Sequence, residues 1–185
     1  MKTEIGTFHN AFGHQVAVVV NHEKENKWEF GLELRCGDRT KYRSPVDKGR
    51  LSANYLDVTL HQDQEIAYVT FKIFASDECW HGTILMKALF QQIQLFEREN
   101  KIKVHHIMGE LSTADQKNNW PRSIPFYLDL PKRLSDDDGC VLKVSVGIYY
   151  KDDISCKRNS IGAMVNDVDA FMNGEEDGYI VYNLM

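Results

Sequence analysis

The chain has 185 residues and a mass of 21.4 kDa, with 43% hydrophobic and 26% charged residues. That is one domain's worth of ordinary globular composition, which excludes disordered and fibrous classes. Its 27 acidic residues outnumber 22 basic ones, and a net charge of -5 gives a phosphate backbone no general field to follow, which excludes general nucleic-acid binding. The longest apolar run, Val16 to Val20, is far shorter than the roughly 20 residues of a membrane-spanning helix, and the first residues lack the basic start and apolar stretch of a secretory signal. The expectation is a cytoplasmic protein without a membrane partner.

In chain order, the β-branched run at 14–20 predicts a strand, followed by a polar turn from Asn21 to Asn26. Trp28, Phe30, Leu32 and Leu34 alternate with Glu29, Gly31, Glu33 and Arg35, the period of a strand with one buried face. Residues 37–50 collect Gly37, Asp38, Ser44, Pro45, Asp47 and Gly49 and predict a loop. A second strand pair follows, with Leu56, Val58 and Leu60 on one member and Ala67, Val69, Phe71 and Ile73 on the other; His61 to Glu65 turn between them. From Thr83 to Asn100 the period changes. Leu85, Leu89, Ile93 and Phe96, widened by Ala88, Phe90 and Leu95, form the apolar stripe of a helix.

Ile102 to Leu111 predicts a strand, and a loop containing Asn118 and Asn119 leads to an apolar segment around Ile124, Phe126, Tyr127 and Leu130. Pro125 and Pro131 predict that this helix is short or distorted, because each proline removes a helical donor. Val141 to Tyr149 predicts another strand. Ser160 is placed to cap a last helix carrying Ile161, Met164, Val165, Val168, Phe171 and Met172, with Gly174 near its end. Tyr179 to Leu184 closes the series as a strand. The fold class expected is α+β, in an α/β three-layer arrangement around a twisted, mostly antiparallel sheet in a single domain.

Cys36, Cys79, Cys140 and Cys156 are scattered, with no C-x-x-C pair, and read as reduced thiols. Adjacent His105 and His106 point to opposite faces of a strand, and the histidines lack zinc-ligand spacing, so no metal is expected. Neither a phosphate-binding P-loop, a dinucleotide fingerprint nor a nucleophile elbow occurs, and Cys79 two residues from His81 is a weak thiol signal.

Residues 66–134 run strand, turn, long helix, strand, loop and aromatic helix. Within them Gly82 is followed by Thr83-Ile84-Leu85-Met86-Lys87-Ala88-Leu89, and Gly109-Glu110-Leu111-Ser112 is followed by Asn118-Asn119 and Phe126-Tyr127. This order and these two patterns resemble the GNAT superfamily of N-acetyltransferases. The first pattern looks like the start of that family's pyrophosphate-binding helix, and the second is similar to the strand, asparagine and Phe-Tyr helix that follow it. The family's loop usually reads Q/R-x-x-G-x-G/A; Asp77 stands here at its first position and Trp80 at its first glycine. Pro131 stands where the family commonly has a glycine, and residues 1–65 read as hairpins where it ordinarily has two helices.

The resemblance implies transfer of an acyl group from acetyl-CoA, as co-substrate, to an amine-bearing small molecule or protein. Trp80, His81, Gly82, Thr83 and Asn119 would contact the cofactor. Backbone amides at a helix start can hold a pyrophosphate without a basic side chain. Tyr127 would be the general acid that protonates the departing thiolate, and Glu110 the general base. The alternative is a non-catalytic protein of the same fold that works by binding a partner.

Overall fold

The computed structural model describes residues 2–9, 15–21, 29–36, 55–62, 67–74, 81–138, 143–151, 154–155, 160–161 and 164–184. The predicted turn after Asn21, the loop at 37–50 and most of the turn after His61 lie outside them. The chain divides into two compact units, residues 1–60 with 71–101 and residues 61–70 with 102–185. Both mix strands and helices, in agreement with the α+β expectation.

Strands β1 (Lys2–His9), β2 (Gln15–Asn21), β3 (Glu29–Cys36) and β4 (Tyr55–Gln62) pair antiparallel in sequence order, all in the first unit except the last two residues of β4. Strand β5 (Ala67–Phe74) is divided, residues 67–70 belonging to the second unit and 71–74 to the first. Val18, Val19 and Val20 are all buried, so both faces of β2 are covered, as an unbroken apolar run requires. Strand β1 is not legible as a period-2 pattern. Its register shifts between Glu4 and Gly6, a bulge that makes Ile5 the extra residue and changes the alternation partway along the strand.

The long helix of the first unit, α1 (His81–Asn100), buries Ile84, Leu85, Met86, Ala88, Leu89, Phe90 and Ile93. Each large member of that stripe contributes about 1.5–3 kcal/mol of burial. Leu95 does not belong to the stripe, being 39% exposed. The helix closes where Asn100 Nδ2 donates to the Phe96 carbonyl and Lys101 adopts φ 55°, a left-handed turn that ends helical hydrogen bonding.

The second unit contains β6 (Val104–Leu111), α2 (Thr113–Gln116), a 3-10 turn (Lys117–Asn119) and α3 (Trp120–Asp138). Strand β7 (Val144–Tyr150), the short pair β8 (Ile154–Ser155) and β9 (Ser160–Ile161), α4 (Val168–Asn173) and β10 (Gly178–Leu184) complete it. Strand β10 lies between β6 and β7 and is antiparallel to both. Its Tyr182 is opposite Ile107 and Val146, and Asn183 is opposite His106 and Ser145, so these two rows project to opposite faces. Phe171 of α4 stacks on Trp120 with ring centroids 5.0 Å apart and contacts Tyr150 at 5.6 Å. Gly178 makes that packing possible: a Cβ there would lie 2.8 Å from Phe171 Cζ and from the Tyr149 carbonyl.

Two expectations for this unit are corrected. The helix expected to be short or distorted is not short: it runs 19 residues with both Pro125 and Pro131 inside it, and helical turns rather than a loop lead into it from Thr113. Each proline deletes one amide, yet Trp120, Ile124, Leu130 and Leu134 are buried along the helix, and that packing outweighs the lost bonds. The helix expected from Ser160 begins only at Val168. Ser160 and Ile161 pair with β8, Met164 bridges to Tyr149, and the Val165 amide donates to the Ile148 carbonyl. Asp167 is the actual cap, its carboxylate accepting from the Ala170 amide at 2.9 Å. The expected end at Gly174 agrees, its amide donating to the Ala170 and Phe171 carbonyls.

Candidate functional site

The first group of candidate residues sits at the start of α1. The helix begins at His81, so Gly82 and Thr83 occupy its first turn, where backbone amides have no helical acceptor. The first turn contains no acidic side chain, which leaves the positive end of the helix dipole uncompensated within the helix. Trp80, Asp77, Glu78 and Cys79 lie outside the described residues.

The second group belongs to the other unit. Tyr127 is half-buried on α3, with Phe126 packed edge-on at 5.2 Å. Its carbonyl accepts a hydrogen bond from the Tyr182 hydroxyl at 3.0 Å. Tyr182 is fully buried, and desolvation, with a smaller contribution from the nearby Tyr127 phenol, pushes its own phenol well above the usual value near 10. It therefore stays a protonated donor across the physiological range. Asn119 closes the 3-10 turn and is exposed, as is Asn118.

Glu110 is exposed near the end of β6 and accepts from Lys151 Nζ at 2.7 Å. That hydrogen bond, followed by the carboxylate's charge, raises the lysine's pKa. Lys151 Nζ also lies 3.9 Å from Asp177, whose other carboxylate oxygen accepts from the Thr113 amide at 2.7 Å and the Thr113 hydroxyl at 2.8 Å. These two bonds lower the Asp177 pKa and cap the start of α2 from a distant part of the chain. Beside them, Lys117 pairs with Glu175.

Strand alternation separates the two candidate catalytic residues. Ile107 shares its face with Tyr182, the residue that reaches α3; Glu110, three positions on, projects to the other face. Tyr127 and Glu110 are thus not brought to one face of the β6–β10–β7 ladder.

His106 occupies the same face as Glu110. Its Nδ1 lies 2.9 Å from Asn183 Oδ1, and Asn183 Nδ2 donates to Ser145 Oγ at 3.4 Å, a polar row running across β6, β10 and β7. With the amide oxygen facing the ring, Nδ1 carries the proton. Nε2 is buried and makes no hydrogen bond. Burial lowers the His106 pKa, the Asn183 bond opposes that change, and the neighbouring His105 adds to it. Among the described residues no group of three or more histidine, cysteine, aspartate or glutamate residues is placed to hold a metal ion, and no helix is long and apolar enough to cross a membrane.

Tyr182, Lys151, Asp177 and Asn183 escaped the sequence reading. A partial signal existed for Tyr182: a proline four residues after Tyr127 announces a carbonyl lacking its helical donor. Nothing in the sequence says which side chain will meet it. Comparison with protein-family models, curated proteins and solved structures finds no match to this chain.

Proposed function

We propose that this protein is an N-acyltransferase of GNAT type, transferring an acetyl group from acetyl-CoA to an amine. The observation that carries the reading is the succession β5, α1, β6, helical turn and α3, with Gly82 and Thr83 in the first turn of α1 and Tyr127 on α3. The amides of Gly82 and Thr83 would receive the pyrophosphate. The acceptor nitrogen attacks the thioester carbonyl, the new C–N bond forms as the C–S bond breaks, and the Tyr127 phenol donates its proton to the leaving thiolate. Glu110 would accept the amine proton on the carboxylate oxygen that Lys151 does not occupy.

One arrangement favours the second reading, a non-catalytic binding protein of the same fold. Glu110 projects away from the face that Tyr182 uses to reach α3, and one of its oxygens pairs with Lys151. Calorimetric titration with acetyl-CoA separates the readings from a protein that binds no such cofactor. Saturable binding with turnover is expected, and Tyr127→Phe should lower kcat about 100-fold while leaving binding intact. Absent binding at millimolar acetyl-CoA defeats both the cofactor and the enzyme assignment. Binding without turnover leaves the second reading standing.

A further inference from the structure

A proline inside a helix removes the amide that would bond to the carbonyl four residues earlier, and its ring crowds that carbonyl. For Pro131 the carbonyl concerned is that of Tyr127. It is also the carbonyl that the Tyr182 hydroxyl reaches, at 3.0 Å. The donor comes from β10, which is paired on both sides by β6 and β7, and its side chain is fully buried.

We propose that Tyr182 is a positioning residue for Tyr127: its hydroxyl replaces the amide that Pro131 removes and fixes this turn of α3 to the sheet. Its catalytic consequence rests on the acyltransferase reading above. Without proline at 131 the carbonyl would be directed along the helix axis to its own amide. With proline it is released to accept a bond from the side. The turn that bears the Tyr127 phenol is then located by a strand held in two ladders, rather than by the helix alone. A proton donor needs such placement, because transfer falls off steeply when donor and acceptor leave hydrogen-bond reach.

Tyr182→Phe keeps the ring and removes only the hydroxyl. It should lower kcat about tenfold with KM for acetyl-CoA unchanged, and speed amide exchange over residues 127–134 by a similar factor. Adding Pro131→Ala restores an amide donor and should recover both quantities, while the same change in the parent protein does much less, a non-additive pair. Parent-like kcat and exchange in Tyr182→Phe would overturn the proposal, and so would a double variant no better than the single one. Should Tyr182→Phe fail to fold, the double variant carries the test: it must be folded and exchange like the parent. A parent that turns over no acetyl-CoA sinks the acyltransferase reading and its catalytic consequence. The exchange measurements still decide the positioning, and unchanged exchange rejects it.

Discussion

Helices α1 and α3 are nearly equal in length, at 20 and 19 residues, and are stabilised in different ways. Helix α1 has no internal proline, so its amide ladder is complete and its apolar stripe follows the helical period. Helix α3 has two internal prolines and two interrupted positions in its ladder. One of the freed carbonyls belongs to Pro121, an exposed residue; the other, on Tyr127, is met by Tyr182. A helix can therefore be read from its own segment when its backbone bonds are self-contained. It is misjudged when part of its backbone is satisfied by a residue 55 positions away.

The largest effect that tests this contrast comes from truncating the core side of each helix. Leu85 and Leu130 are both fully buried, and Leu85→Ala and Leu130→Ala should each cost about 2–5 kcal/mol in urea unfolding. A much smaller loss at Leu130 would break the argument that packing is what keeps the proline-containing helix intact.

An intermediate effect, of opposite sign, is expected at the exposed Pro125. Pro125→Ala restores an amide to the carbonyl of exposed Pro121, and should raise stability by about 1–3 kcal/mol. A gain smaller than that of Pro131→Ala in the same assay would show that the two prolines are not distinguished by the Tyr182 bond.

The smallest effect concerns the His106 imidazole. The folded His106 pKa lies below the ordinary 6.5, so the unfolded chain takes up the proton more readily. Its contribution to stability is complete above about pH 6.5 and is lost as the pH falls from there through the lowered folded value. His106→Gln should flatten this part of the stability–pH curve in thermal melts. An unaltered slope would mean that another group titrates there.

Much of the secondary structure was legible. Alternation in Leu32 and Leu34, and in Leu56, Val58 and Leu60, placed β3 and β4, and the stripe from Leu85 to Ile93 placed α1. What escaped had non-local causes. The bulge beside Ile5 hid β1, the pairing of Ser160 with Ser155 displaced the start of the last helix to Val168, and buried contacts overrode two prolines in α3. The candidate residues could be named from the sequence only by type, at the start of α1, within α3 and near the end of β6. Their partnerships could not: Glu110 with Lys151 spans 41 residues and Thr113 with Asp177 spans 64. No local pattern encodes pairs at such distances.

The position of β10 between β6 and β7 also orders events in time. Strands β6 and β7 have no ladder with each other; each pairs with a strand made later than both. During synthesis they must wait with unpaired edges until residues 178–184 have emerged, and then both ladders close around one insertion. Such late, long-range closure slows folding and leaves hydrophobic strand edges unprotected in the interval. For this protein one such interval falls while β7 has been made and β10 has not.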